Sequence, residues 1–490
     1  MNYLDLSIKE IHAALVERKV TPLDFAKEAI RRAKDSGDNC FEIILEEQAL
    51  AFASSLTEPE QDNPLWGIPY VAKDNLSTKG IPTTASSEVL SGYVPLFDAT
   101  VIARLKEKKA VLIGKTTLDE LAMGGMGMSG HLGKTFNPYD PTHERIIGGS
   151  SCGSATAVAS GIVPFALGSD TGDSTRKPAA YGGILGVKPT WGRISRYGLI
   201  PFAPSLDAIG YFTRYSIDAA ILLDALAGKD AQDASSLDAP VGHYADSCLT
   251  PLAAPRILLL DDIIEAVRDE TIRQKLKEAE EALKKQGAIL THARFGEDLL
   301  AAIRPTYIIL SGAEVCSLDA NLDGIKFGLH GKGQTYESAM KDARTRGISS
   351  LTKRRFVLGS YSLLGEKRDA LYLRALKLRR KLVTRTLELL SGQDAILTPS
   401  ALTIAPKFDA AHADLSEKDK AADNHLTLAN FAGLPSITLP LGYSNGMPFG
   451  VDFMGHAFEE EKLFAIAHSF EKIVGICGEY AGFRKEKHGI

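Results

Sequence analysis

The 490 residues are 44% hydrophobic and 24% charged, the balance of a water-soluble globular chain with a large core. A net charge of −5 without any dense basic block argues against direct nucleic-acid binding. Five scattered cysteines with no C-x-x-C argue against a disulfide framework or a thiolate metal site, and are expected as reduced, mostly buried thiols. The opening MNYLDLSIKE lacks the basic and apolar regions of a signal peptide, and no run approaches the ~18 apolar residues of a membrane span, so a cytoplasmic protein with no membrane partner is expected.

Two amphipathic helices open the chain, one announced by the capping box Ser7-x-x-Glu10 and one by Thr21-Pro22-x-Asp24 with proline at the first helical position. From Trp66 the texture changes to short apolar runs, GIPYVAKDN and AVLIGKT, with the helical DATVIARLKEKK between them, an α/β alternation. CGSATAVASGIV predicts a helix of small residues suited to close packing, and PFALGSD a buried strand. Residues 240–255 are the best linker candidate. Beyond them RILLLDD predicts a strand, DETIRQKLKEAEEALKKQG a charged helix, and KRDALYLRALKLRRKLVTRTLELL a long helix with a solvated basic face. DAILTPS, a polar loop over 406–423, and the core strands GLPSITLPLGY and PFGVDFMG close the chain. There is no internal repeat.

Two glycine motifs invite phosphate chemistry and fail on context. Gly125, Gly127 and Gly130 form a G-x-G-x-x-G, but a helix-like LDELAM precedes it and no helix follows, so a substrate-lining loop is the better reading. GGSSCGS lacks the G-K-[ST] of a P-loop. What remains is a pair of glycine–hydroxyl clusters, GGSS (148–151) and TGDS (171–174), joined by a helix–strand unit. Tight turns alone would account for one such cluster. Two, at strand ends, can converge backbone N–H groups on a point, as an oxyanion hole requires. A serine nucleophile needs a base, and no histidine lies between Gly148 and Arg214. Lys73 ends the apolar run GIPYVAK, at the strand end where open α/β sheets place their sites, and a lysine in apolar surroundings can act as a base.

Together GIPYVAKDN, GGSSCGSATAVASG and GSDTGDSTRKPA resemble the amidase signature family. The resemblance implies an α/β/α sandwich around a large mixed β-sheet, and one amidase domain over 1–490 with N-terminal helices over 1–60, a signature core over 61–240, and a second lobe with closing strands over 256–490. It also implies a Ser–cis-Ser–Lys triad: Lys73 as base, Ser150 as the bridging serine, and Ser174, 24 residues later, as nucleophile. The backbone amides of Thr171, Gly172, Asp173 and Ser174 would form the oxyanion hole. No metal and no organic cofactor enter this chemistry.

Longer stretches, among them KPTWGRISRYGLIPFAPSLDAIGYFTR and NFAGLPSITLPLGYSNGMPFG, are similar to one branch of that family, the glutaminase subunits of tRNA-dependent amidotransferases. That branch releases ammonia from glutamine for a B subunit, which amidates mischarged tRNA with ATP and Mg²⁺, while a C subunit clasps the pair. The alternative is a free-standing amidase acting on other small amides. On the branch's pattern the donor's charged groups would be met by Tyr307, by Arg355 or its neighbour Arg354, and by Asp423, seven residues before Asn430. The chain also departs from the family: Asp173 stands where glycine is usual, and Lys177 where glutamine is usual. A carboxylate facing an oxyanion hole would repel the developing charge, so Asp173 is expected to point away, toward Arg176 or Lys177. Aspartate is also among the few residues that tolerate the positive φ for which glycine is favoured in such turns.

Overall fold

A computed structural model describes residues 3–409 and 416–482. Among them eleven strands form one mixed sheet: β1 (Phe41–Ile44), β2 (Pro69–Lys73), β3 (Val111–Thr116), β4 (Phe165–Asp170), β5 (Leu185–Lys188), β6 (Ala208–Thr213), β7 (Arg256–Leu260), β8 (Ile289–Ala293), β9 (Ala395–Pro399), β10 (Ser436–Ser444) and β11 (Met447–Gly455). Their order is β1-β3-β2-β4-β6-β5-β10-β11-β9-β7-β8. β3, β2 and β4 run parallel, as do β9, β7 and β8, with antiparallel pairings between these blocks. Every residue of β2, β4, β5, β6, β9 and β11 is buried, because helices cover both faces, and such strands read as continuous apolar runs rather than alternating ones.

Both opening helices start where their capping residues predict. Ser7 and Glu10 exchange side-chain and backbone hydrogen bonds at the head of Ile8–Val16, and Thr21 and Asp24 do the same before Pro22–Asp35. The 1–60 segment also holds β1, which the sequence pattern does not reveal. LDELAM is a single 3-10 turn, Glu120–Ala122, rather than a helix. The linker candidate at 240–255 carries the short helix Tyr244–Cys248, both ends of which are buried, and strands from either side of it join the same sheet. The polar loop 406–423 ends in the helix Glu417–Ala422, while 410–415 lie outside the described residues.

Helix Glu297–Leu318 has no counterpart among the elements expected from the sequence. It is long and apolar enough to cross a membrane by length and composition, a test that core helices also pass, and Leu300, Ile303, Leu310 and Val315 are buried within the protein. The five cysteines are free thiols, with Cys40, Cys152 and Cys248 buried.

Candidate active site

Lys73 is the last residue of β2 and is wholly buried. Its Nζ lies 2.8 Å from Ser150 Oγ, 2.9 Å from Ser151 Oγ and 2.9 Å from Ser169 Oγ, with no carboxylate in contact among the described residues. Ser169 comes from β4, the parallel neighbour of β2, while Ser150 and Ser151 precede the small-residue helix Cys152–Ala159. The Gly149–Ser150 peptide is cis. Burial among neutral groups lowers the Lys73 ammonium to about 8, so an appreciable share of the amine is unprotonated near neutrality. Ser151 Oγ donates to the Ser169 carbonyl at 2.9 Å, and Asn75 Nδ2 donates to Ser169 Oγ at 3.0 Å. Ser151 therefore presents a lone pair to Lys73, and Ser169 Oγ, which accepts from Asn75, has a second lone pair with which to accept from it. The neutral amine has two hydrogens for these two acceptors, which leaves its own lone pair for the Ser150 hydroxyl.

Asp119 underpins this cluster, although no sequence motif singles it out. Its carboxylate accepts four consecutive N–H groups, from Met126 (3.1 Å), Gly127 (2.9 Å), Met128 (3.0 Å) and Ser129 (3.1 Å), and the Ser129 hydroxyl at 2.7 Å. Its own N–H donates to the Ser150 carbonyl at 3.1 Å. A Cβ on Gly149 would lie 2.1 Å from Asp119 Oδ2, so only glycine permits this approach. The glycine-rich GGMGMSG loop is thus stapled to the backbone beside Ser150. The only signal in the sequence is an acid shortly before a glycine run.

The turn Thr171–Ser174 follows β4. Among the described residues, none of its four N–H groups donates a hydrogen bond, and Ser174 Oγ takes part in none, although Ser174 is only 4% exposed. The frame around the turn is fully bonded. Asp170 accepts from Arg176 Nη2 (3.0 Å), Thr175 N (2.9 Å) and Asn430 Nδ2 (2.9 Å); Arg176 also donates to the Gly172 carbonyl at 2.8 Å, and Thr171 Oγ1 donates to Asp207 at 2.7 Å. Although burial opposes ionisation, Arg176 and these donors hold the Asp170 carboxyl well below the usual range. Neither Gly172 nor Asp173 has positive φ, so the turn places no backbone demand for glycine at 173, contrary to the expectation from sequence. Asp173 Oδ2 lies 3.7 Å from Lys177 Nζ, whereas Arg176 is committed to Asp170. Of the two partners expected for Asp173, Lys177 is the one present.

The residues expected to meet the donor come from distant parts of the chain. The Tyr307 ring packs against the turn, 3.2 Å from where a Cβ on Gly172 would stand. Burial pushes the Tyr307 phenol up, and the guanidinium of Arg355, on the adjoining helix Ser350–Leu363, pulls against that. Arg355 forms no ion pair among the described residues, and its Nη1 is buried with no acceptor. Arg355 is thus the arginine of the pair whose charge is felt at Tyr307. Asp423 is buried, but its charge is already met: Lys177 Nζ sits 2.8 Å from Asp423 Oδ2 and 2.9 Å from its carbonyl, while Leu402 N donates to Oδ1 at 3.3 Å.

Buried amine, clustered hydroxyls and a turn of unbonded N–H groups on a mixed sheet are the equipment of an amide hydrolase, and residues 24–464 match the Amidase family, to which the chain belongs. It is 37% identical to the A subunit of the glutamyl-tRNA(Gln) amidotransferase of Listeria innocua, with the whole of both chains covered. Among solved structures it is similar to the subunit of the same name from Thermotoga maritima, at 32% identity and a TM-score of 0.80 over 98% of each chain. It also resembles the peptide amidase of Stenotrophomonas maltophilia, at 26% identity and a TM-score of 0.81 over 97% of this chain and 98% of that one.

Proposed function

We propose that this chain is the ammonia-releasing component of a tRNA-dependent amidotransferase, with Lys73, Ser150 and Ser174 as its catalytic triad. The observation that carries the chemistry is the wholly buried Lys73 amine among three hydroxyls, 2.8 Å from that of Ser150. Lys73 takes the proton of Ser150, which takes that of Ser174, and the Ser174 oxygen attacks the donor's amide carbon. The four N–H groups of Thr171 to Ser174, free of other acceptors among the described residues, receive the oxyanion. The relay then returns a proton to the departing ammonia, and water cleaves the acyl-serine ester. The link from Ser150 to Ser174 closes when the donor binds, since such contacts often tighten only in the complex.

The full-length likeness to two glutamyl-tRNA(Gln) amidotransferase components supports glutamine as donor, a B subunit that uses ATP and Mg²⁺ to amidate the mischarged tRNA, and a C subunit completing a cytoplasmic heterotrimer. One observation favours a second reading, a free-standing amidase: the acid expected to meet glutamine's ammonium is already paired with Lys177. The two separate on one assay. The chain co-purified with its B and C partners is supplied with glutamine, ATP, Mg²⁺ and Glu-tRNA(Gln). Amidated tRNA that disappears in Ser174→Ala is the expected result; ammonia release from simple amides with no amidated tRNA would favour the free-standing enzyme.

A further inference from the structure

Outside the cluster around Lys73 and Ser174, a cleft of about 400 Å³ opens between helix Glu297–Leu318 and the helices Tyr336–Gly347 and Ser350–Leu363, a volume within the range of small-ligand sites. Asp319, which caps the first of these helices, lines the cleft and is only 7% exposed. Neither oxygen of its carboxyl forms a hydrogen bond among the described residues, and Oδ2 is fully enclosed. Buried carboxyls are normally supplied with hydrogen-bond partners, and one left without any is destabilising. Around it stand Lys341 and Arg344 from the second helix and Lys353 from the third, none paired with a carboxylate among the described residues. Arg344 donates to the carbonyls of Leu322, Asp319 and Ala320, and Lys353 Nζ to that of Thr345 at 2.9 Å. Asp342, the acid next to Lys341, is taken by Arg346 at 2.6 Å. Phe356 and the exposed Val357 give the cleft an apolar wall.

We propose that this cleft binds a small organic phosphate, its dianionic head among Lys341, Arg344 and Lys353 with one oxygen on the Asp319 carboxyl, and its apolar body against Phe356 and Val357. Three cations exceed what one ligand carboxylate would neutralise, whereas a phosphate monoester brings nearly two negative charges and three acceptor oxygens. Beside an anion, Asp319 must be the neutral acid, whose O–H donates. Burial favours that form, pushing Asp319 up to about 8 against the pull of Arg344, and the charges of Asp207 and Glu120 act in the same direction as burial. The remaining titratable group at the cleft, the Cys316 thiol, donates to the Phe356 carbonyl at 3.1 Å. No residue of the cleft is assigned to amide hydrolysis, so the site is independent of that reading.

The test titrates the full chain with phenyl phosphate, inorganic phosphate and phenol by isothermal calorimetry. At pH 7 phenyl phosphate should bind one to one with a Kd below about 1 mM, inorganic phosphate at least about tenfold more weakly, and phenol not measurably. Lys341→Gln combined with Lys353→Gln should weaken phenyl phosphate by on the order of tenfold or more. Val357→Glu, a change at an exposed position that leaves the fold intact, should do the same by setting a like charge beside the ligand. Asp319→Asn keeps a donor without a charge. Between pH 7 and 9 its affinity should hold within about threefold, while the unaltered protein loses about tenfold as Asp319 ionises beside the anion. The proposal is overturned by phenyl phosphate that fails to bind or binds no better than inorganic phosphate, by affinity that ignores the lysine and Val357 variants, or by a pH dependence that Asp319→Asn shares in full.

Discussion

Lys73 and Lys177 are both buried lysines of one site, yet burial leaves them in opposite states. Lys73 faces three serine hydroxyls and is lowered to about 8, whereas Lys177 lies between Asp423 and Asp173 and is raised above the ordinary range. Desolvation acts on both in the same direction. What differs is the partner: dipoles that tolerate a neutral amine in one case, carboxylates that demand a cation in the other. A readily deprotonated amine and a fixed cation are thereby made from the same side chain, and the neighbouring oxygens decide which.

The sharpest way to break the comparison is to remove the neutral amine. Lys73→Met keeps most of the buried volume and should lower amide hydrolysis by on the order of 10³-fold or more, with Ser174→Ala equal to it and the double variant little worse, because the groups act as a unit. Steady-state ammonia release measures this, and near-normal turnover in Lys73→Met would end the assignment of Lys73 as base. In the unaltered protein the same amine governs pH dependence. The base must be unprotonated, so kcat/KM should rise with pH through about 8 and level above it, losing close to tenfold for each pH unit below.

A smaller effect is expected from converting one lysine's surroundings into the other's. Ser169 Oγ is 2.9 Å from Lys73 Nζ, so Ser169→Asp would give Lys73 the kind of counter-ion that Lys177 has. The limb of the pH profile should move up by roughly one to three pH units, with a loss on the order of 10²-fold at pH 7 that is largely recovered at high pH. A profile left in place would mean that the partner is not what separates the two lysines.

Asp119 shows why a nearby carboxylate does not turn Lys73 into a fixed cation. Its oxygens are spent on four N–H groups and the Ser129 hydroxyl, so its charge is felt at Lys73 without an ion pair forming. Asp119→Asn retains the shape but offers one acceptor oxygen instead of two. It should leave some of those buried donors unpaired, costing about 2 kcal/mol of stability by denaturant titration and lowering turnover by about tenfold through the shifted Ser150 backbone.

The parts of this arrangement that were legible in the sequence are those that chain neighbours spell out. Lys73 ends an uninterrupted apolar run, and Ser150 and Ser174 sit in glycine–hydroxyl clusters at the ends of a helix–strand unit; the structure puts Lys73 against Ser150 as read. Ser151 and Ser169 were invisible as partners of Lys73 because β2 meets β4 across nearly a hundred residues of intervening chain. Arg176 was a candidate partner of Asp173 by proximity in sequence, but Asp170 and Asn430 surround it once the turn folds. Among strands, β1, β5, β6 and β8 have no counterpart in the sequence reading, β5 and β6 in the interior and β1 and β8 at the two edges of the sheet. There a strand of four or five residues, none of them fully buried, has neither the continuous apolar run of the interior strands nor enough length for a clear alternation. Asp423 was placed by its spacing from Asn430, yet nothing along the chain indicates that Lys177 neutralises it.

The smallest effect tests the other carboxylate beside Lys177. Asp173 pairs with Lys177 only at 3.7 Å and is 30% exposed, while Asp423 is in direct contact and buried, so Asp423 supplies most of what keeps Lys177 charged. The backbone at 173 has no positive φ, which means glycine would relieve no strain there and would add freedom to the unfolded chain. Asp173→Gly should therefore cost under about 1 kcal/mol and leave Lys177 on Asp423. The carboxylate is turned toward Lys177, 3.7 Å away, so its repulsion of charge developing at the Thr171–Ser174 amides is slight. Single-turnover acylation should stay within about threefold of the unaltered protein. A marked acceleration would mean that Asp173 faces the oxyanion after all, and that Lys177 is held by one carboxylate rather than two.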